Sequence, residues 1–368
     1  MFEEIKKNFG FGLMRLPMKD EDVDYELVNQ MVDYFIDNGF NYFDTAHGYH
    51  HGLSEEAVGK CLASRHDRSE FLITNKLTDS YFEKQEDIRP FFEQQLKTCN
   101  VEYFDNYLMH SQNINNYQKF KKCQAYETAL QFKEEGLIKH FGISFHDKAN
   151  VLDTILTEYP QVEIVQLQIN YVDWEDASVE SKKCYEVCVK HNKPVIVMEP
   201  VKGGSLVKLP DDADKILRDL NGGSNASYAI RFAASHQNVR MVLSGMSDME
   251  QMIDNVNTMK DFVPINDKEQ EAIDKVCEIF KSKEMIPCTA CSYCTDGCPM
   301  KIRIPDMFAC YNKFKTFNEW NQKMYYRVIT SDGHSKASEC IACGQCEGIC
   351  PQGLQIISLL KEVAGTFE

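Results

Sequence analysis

Eight cysteines stand in two copies of one spacing: Cys288, Cys291, Cys294 and Cys298, then Cys340, Cys343, Cys346 and Cys350. Each copy reads C-x2-C-x2-C-x3-C-P, with Pro299 and Pro351 closing the runs. Three thiolates on one tight loop can cap three corners of an iron–sulfur cubane, while the fourth cysteine points away and ligates a second cubane. The pattern therefore assigns Cys288, Cys291, Cys294 and Cys350 to one [4Fe-4S] cluster, and Cys340, Cys343, Cys346 and Cys298 to the other. Zinc is the alternative raised by C-x2-C pairs, but a zinc ribbon needs only two pairs and has no use for a third close cysteine or for the prolines. Disulfide frameworks belong to secreted chains, and nothing else here has that character.

A second set of reactive side chains lies upstream. Between about residues 9 and 280, eight short apolar runs alternate with helical patterns: 9–15, 41–44, 71–76, 105–110, 140–144, 164–168, 194–199 and 240–244. In the first long crossover Val28, Met31, Val32, Phe35 and Ile36 recur at helical spacing before Gly39. Strand and helix in alternation eight times is the pattern of a (β/α)8 barrel. A doubly wound open sheet is the runner-up, weakened because Gly10 and Gly12 have no third glycine opening a helix. A barrel gathers its chemistry at the C-terminal ends of its strands. The second run ends in Asp44, with Tyr49 five residues on; the third ends in Lys76 and the fourth in His110. Singly, these read as a turn former, a loop aromatic, a solvated tip and a rim histidine. Together, on consecutive strand ends, they converge on one pocket.

Their chemistry follows from the residue types. A carbonyl that accepts hydride develops negative charge on oxygen, which calls for a proton and for fixed donors. Tyr49 is the candidate acid. A free phenol titrates near ~10, and Lys76 as a neighbouring cation would favour its phenolate. Asp44 would keep that lysine charged inside the barrel mouth, and a neutral His110 can orient the carbonyl oxygen.

At these residues the chain resembles the aldo-keto reductases: FDTAHGYHHGLSEE resembles the signature around the catalytic Asp and Tyr, with one extra residue before Gly52. FLITNKL resembles the segment carrying the Lys, FDNYLMHS that carrying the His, HFGISFH the usual G-x-S-N-F, and IVQLQINY the strand with a cofactor-binding Gln. The C-terminal part is similar to the branch of that superfamily fused to a ferredoxin-like module. The resemblance implies a nicotinamide cofactor, NADP(H) or NAD(H), with Ser144 and Gln166 on the carboxamide, Gly12 and Met14 approaching the ring through the backbone, and Asp44 beside it. Met198 stands where many members stack a Tyr, and Phe145 where an Asn is usual, with His146 as a replacement contact. LSGMSDMEQMIDNV resembles the segment that grips the adenosine phosphate, placing Ser244, Gln251 and Asn255 at cofactor positions and a helix N-terminus near Ser247 as an anion site. Gln251 occupies the place of an Arg that commonly binds the 2′-phosphate, so NADP is favoured by the family alone.

The remaining features set boundaries. With 40 Lys plus Arg against 56 Asp plus Glu, the formal charge is −16, which repels phosphate backbones and argues against nucleic-acid binding. No stretch approaches the ~18 apolar residues of a membrane span and residues 1–8 lack a signal-peptide core, so a cytoplasmic protein without membrane association is expected. Cys61, Cys99, Cys123, Cys184, Cys188, Cys277 and Cys310 fit a reducing compartment and read as small buried side chains. His47, His50 and His51 read as a solvated loop, Trp174 and Tyr171 as pocket wall or packing, and residues 305–327, with Trp320, as helices. The expected division is a barrel at 1–280 and a ferredoxin-like domain at 281–368. Two functions fit. One is an NAD(P)H-dependent oxidoreductase acting on a small carbonyl compound, its clusters exchanging electrons with a ferredoxin or other redox partner. The other is an iron–sulfur electron-transfer or redox-sensing protein whose barrel binds nicotinamide without turning over aldehydes.

Overall fold

The computed structural model describes residues 4–176, 179–282, 285–317, 321–331 and 333–368; Trp320 lies outside them. Eight parallel strands close on themselves: β1 (Phe9–Gly12), β2 (Tyr42–Asp44), β3 (Leu72–Leu77), β4 (Phe104–Gln112), β5 (Ile138–Phe145), β6 (Ile164–Gln168), β7 (Val195–Met198) and β8 (Val239–Gly245). Each pairs with the next in sequence, and β8 returns to β1 in the register Phe9↔Val242 to Gly12↔Gly245. The (β/α)8 barrel expected from the eight apolar runs is the fold observed.

Helices α1 (Tyr25–Asp37), α2 (Leu53–Ala57), α3 (Gln85–Cys99), α4 (Ile114–Lys122), α5 (Ala125–Glu134), α6 (Ala149–Glu158), α7 (Ser181–Lys190), α8 (Asp211–Arg218), α9 (Asn225–Ala234), α10 (Met249–Lys260) and α11 (Asp267–Ser282) follow the strands. The first shows why they form. The Asp24 side chain accepts from the Leu27 amide and caps the N-terminus. Val28, Met31, Val32 and Phe35 then bury one face at 3.6-residue spacing, and Gly39, at φ 83°, lets the chain turn out of the helix.

Period-two alternation along the strands fills the barrel. Tyr42, Leu72, Ile164, Ile196, Met241 and Leu243 make an apolar layer. Tyr42 also reaches a polar pair, its hydroxyl accepting from Thr74 Oγ1 at 2.6 Å and from Asn106 Nδ2 at 3.1 Å. Two residues further along the same inward rows stand Asp44 and Lys76. The strand pattern thus aims both side chains into the barrel at its C-terminal end.

The chain divides into two compact units. The first comprises 1–175, 180–200 and 226–265 and contains the whole barrel; the second comprises 176–179, 201–225 and 266–368. In the second, α12 (Tyr293–Asp296), α13 (Ile304–Phe317), α14 (Asn321–Ile329), α15 (Gln345–Ile349) and α16 (Ile356–Phe367) build a separate core. Ile286, Ile302, Ile304, Met307, Phe308, Tyr326, Leu360 and Val363 are buried there with Cys294 and Cys346. Among the described residues no helix is long and apolar enough to cross a membrane.

Candidate functional site

Lys76 is wholly enclosed, at 0% exposure, and Asp44 nearly so at 4%. The Lys76 ammonium donates to Asp44 Oδ1 at 2.6 Å and to the Thr45 carbonyl at 2.7 Å, and Asp44 Oδ2 accepts from Gln166 Nε2 at 3.1 Å. Burial pushes the Asp44 carboxyl up and the Lys76 ammonium down, and each charge opposes the shift of the other. Because both carboxylate oxygens act as acceptors, the hydrogen bonds fit the ionised pair.

Tyr49 lies over this pair, with Lys76 Nζ 4.9 Å from its ring centroid and the His110 ring 6.0 Å away edge-on. The four residues picked out at the strand ends are therefore together. Burial, with the negative charges of Asp44 and Glu199, holds the Tyr49 phenol well above its usual range. The ammonium, which alone would favour the phenolate, acts in the opposite sense. In the protein alone, Tyr49 keeps its proton, which is the form a general acid needs. His110 Nδ1 shares a hydrogen bond of 2.7 Å with Thr78 Oγ1. Burial first, then the Lys76 and His146 charges, hold its imidazole neutral, well below the usual histidine range.

A buried shell fixes these side chains. Glu55, in α2, is 0% exposed. Its Oε1 accepts from Asn75 Nδ2 and Gln95 Nε2, both at 2.9 Å, and its Oε2 meets His47 Nδ1 at 2.7 Å. Gln95 also donates to the Lys76 carbonyl at 3.1 Å, and the Tyr107 hydroxyl donates to Gln95 Oε1 at 2.7 Å. Side chains from β3, from α3 and from the loop after β2 thus meet at one carboxylate. Sequence reasoning passed over Glu55, and its twin Glu56 shows why: the two adjacent glutamates are indistinguishable until the helix face is known. His47 is drawn into this network, so it is more than a solvated loop residue.

The extra residue before Gly52 is absorbed by a left-handed turn. His50 and His51 take φ 49° and 55°, and Gly52 takes φ 97°. Two non-glycine residues in this region cost roughly 1–2 kcal/mol each. Helix α2 resumes directly afterwards.

Of the cofactor candidates, Ser144 and Gln166 are register partners on β5 and β6. Ser144 Oγ accepts from the Ser111 amide at 2.7 Å, leaving its hydroxyl proton to donate outward, whereas Gln166 is engaged with Asp44. Gly12 pairs with Asp44 across β1 and β2, Met14 follows in a short 3-10 turn, and Met198 ends β7. Asn255 Nδ2 donates to Ser244 Oγ at 3.2 Å. Asp248 caps α10, accepting from the Gln251 amide at 2.8 Å and from Gln251 Nε2 at 2.6 Å, while Gln251 Oε1 accepts from the Ser247 amide at 3.0 Å. Trp174 belongs to packing: it stacks on His236 at 4.1 Å between Tyr185 and Phe232.

The cysteine runs form two cavities with crossed membership. Cys288, Cys291, Cys294 and Cys350 line one, with Phe308, Leu354 and Ile356. Cys298, Cys340, Cys343 and Cys346 line another, with Met300, Ile302 and Leu360. Ile304 touches both. This is the four-and-four grouping that the spacing predicts. Among the described residues no three ligating side chains converge on a single-ion position. Burial and the neighbouring Cys291, Cys288 and Cys350 push the Cys294 thiol up to about 12, and burial with Cys340 and Cys343 pushes that of Cys346 up to about 11. Of the other seven cysteines six are buried and Cys277 is half-buried.

A model of the aldo/keto reductase family matches residues 8–278, and a 4Fe-4S dicluster domain model matches residues 287–354. The chain belongs to the aldo/keto reductase family, with a 4Fe-4S dicluster region following the family domain. It is 22% identical over 258 residues to an uncharacterised oxidoreductase of Bacillus subtilis, the match covering 61% of this chain and 80% of that protein. It is 25% identical over 271 residues to the (1S)-1,7-diacetoxy-luvungin A aldo-keto reductase of Citrus sinensis, covering 67% and 79%. An aldo-keto reductase from Klebsiella pneumoniae, solved in complex with NADPH, shares the fold at TM-score 0.60 and 18% identity, covering 73% of this chain and 90% of that one.

Proposed function

We propose that the protein reduces a small carbonyl compound with NAD(P)H at the barrel mouth, and that its eight motif cysteines hold two [4Fe-4S] clusters exchanging single electrons with a redox partner. The barrel domain is taken as 1–280 and the cluster domain as 281–368. The convergence of buried Asp44, Lys76 and His110 with half-buried Tyr49 supports this most directly.

A bound reduced nicotinamide supplies hydride, and bound clusters supply or accept single electrons. The chain's own residues do the rest. Ser144 and Gln166 orient the carboxamide, and Met198 covers the ring. His110, kept neutral, donates to the carbonyl oxygen. Tyr49 donates its hydroxyl proton to that oxygen as charge develops there. Lys76, held ionised by Asp44 and the Thr45 carbonyl, stabilises the phenolate that this transfer leaves behind. Because burial raises the resting phenol, the ammonium acts chiefly once the proton has left. That reserves its effect for the transition state.

Cluster-loaded protein carrying Tyr49→Phe tests this. Carbonyl turnover should fall by roughly 10²–10⁴, with nucleotide binding intact by fluorescence titration. Unchanged turnover would remove Tyr49 as the acid, and absence of carbonyl turnover in the parent protein would favour the alternative of an electron-transfer or sensing protein. Anaerobic titration with NADPH and NADH, following cluster bleaching and nucleotide binding together, separates the readings further: binding without bleaching means that the clusters draw electrons from another donor.

A further inference from the structure

The two cysteine loops are built alike and finished differently. In Cys288–Cys294 and Cys340–Cys346 the same positions are left-handed: Ala290 and Ala342 at φ 54° and 55°, Ser292 and Gly344 at φ 66° and 80°. The loops can therefore be compared residue by residue. After the first cysteine, one loop has Thr289, 2% exposed, and its twin has Ile341, 60% exposed. Thr289 is covered by the protein's own chain. Gly203, at φ +63°, lies so close that a Cβ there would sit 2.3 Å from the Thr289 carbonyl oxygen. Nothing comparable covers the second loop among the described residues: Ile341, Ala342 and Cys343 are all exposed. Ile341 is at once surface and cavity wall, since it also lines the space ringed by Cys298, Cys340, Cys343 and Cys346. Apart from cysteine, no ionisable side chain lines that cavity.

We propose that the Cys340–Cys346 loop is the docking face for a small one-electron carrier protein, with Ile341 as its apolar anchor, and that single electrons enter the chain there. This rests on the cluster reading above. The covered twin shows that this backbone shape accepts a protein segment packed directly on it. An exposed apolar side chain over a redox cavity gains stabilisation only when a partner removes it from water. An apolar anchor set directly over the cavity fits a carrier with an apolar rim around its redox centre, held by a small contact of the electron-transfer type, below ~1,200 Å². In the step itself the carrier is oxidised by one electron and the centre behind Ile341 is reduced by one. No atom or proton moves.

Full-length, cluster-loaded protein provides the test, in stopped-flow reduction by a reduced bacterial ferredoxin and, separately, by the methyl viologen radical, which needs no docking. Ile341→Ser should lower the second-order rate constant with ferredoxin roughly tenfold, a loss of about 1.4 kcal/mol. The viologen rate and the paramagnetic resonance signals of both clusters should stay as in the parent. Ile341→Leu should retain the ferredoxin rate. Ile349→Ser is the control, since Ile349 is 54% exposed in the same unit and lines neither cavity. An unchanged ferredoxin rate in Ile341→Ser, equal slowing by viologen, or equal slowing in Ile349→Ser would overturn the assignment. Absence of [4Fe-4S] signals in the parent protein would instead remove the cluster reading on which it rests.

Discussion

The barrel mouth and the cysteine loops are both polar centres set in apolar surroundings, yet only the first is completed by the chain alone. At the mouth, Lys76 finds Asp44, Asp44 finds Gln166, and Glu55 is shared by Asn75, Gln95 and His47. In the loops, four sulfurs line each cavity, and among the described residues no Lys, Arg or His lines either one. The barrel centre is held by its own ion pair and hydrogen bonds, whereas in the loops burial keeps protons on Cys294 and Cys346 that iron would have to displace.

Iron removal gives the largest expected difference between the two. Anaerobic oxidation of the clusters followed by chelation should release residues 285–368 to proteolysis and hydrogen exchange while the barrel strands stay protected. Binding at structural metal sites supplies on the order of 10 kcal/mol of folding free energy, more than a unit with cysteines in its core can lose. Equal protection with and without iron would show that the second core stands by itself, and the contrast would fail.

Lys76→Met tests the other side. Removing one partner of a buried pair leaves an uncompensated charge, at about 3–5 kcal/mol, and urea unfolding should show a loss of that size alongside nearly abolished turnover. The double variant Asp44→Asn with Lys76→Met should recover much of the stability and none of the activity. If the single variant were as stable as the parent, the pair would not be the ionised one described.

How much of this was legible beforehand depends on how local the signal is. The eight strands were, because apolar runs bounded by helical patterns are read along the chain; the edges moved by only a residue or two, except that 13–15 form a 3-10 turn rather than strand. Asp44, Lys76 and His110 were legible from their places at run ends, and the cysteine grouping from its spacing. Glu55, Asn75 and Gln95 were not, since they meet only when α2, β3 and α3 pack together. The direction of the Tyr49 shift was not either: it depends on burial and on Glu199, about 150 positions away along the chain, whose charge no local pattern brings near. Nor does any shift in composition mark residues 201–225, inside the barrel sequence, as part of the cysteine unit.

Acid sharpens the comparison at intermediate scale. Burial holds His236, stacked on Trp174, down to about 4, and holds His110 well below its usual range. Unfolded histidine titrates near ~6.5. As pH falls below that, the unfolded chain gains protons that the folded barrel refuses, so stability present at neutral pH is lost between ~6.5 and the folded values. For His236 the loss is complete by about pH 4 and amounts to about 3 kcal/mol. His236→Phe keeps an aromatic ring against Trp174 and should flatten that part of the acid limb in urea titrations at about pH 7 and about pH 4.5. An unchanged limb would place the proton uptake elsewhere.

The smallest effect bears on which nucleotide the finished barrel centre prefers. The positive end of α10 is the natural seat for a nucleotide phosphate, but Asp248 already places a carboxylate there, and Gln251 is bonded to it at 2.6 Å. A 2′-phosphate at this position would meet a fixed negative charge. Were the nucleotide phosphate seated here, this local charge would weigh more against NADPH than against NADH. Asp248→Asn keeps the cap, since Asn and Asp cap equally well, and removes only the charge. The Michaelis constant for NADPH should fall about three- to fivefold, an exposed-charge effect of up to about 1 kcal/mol, with that for NADH moving less. High salt should erase the difference, because screening removes what the mutation removes. Equal shifts for both nucleotides would mean that the phosphate sits away from this helix start.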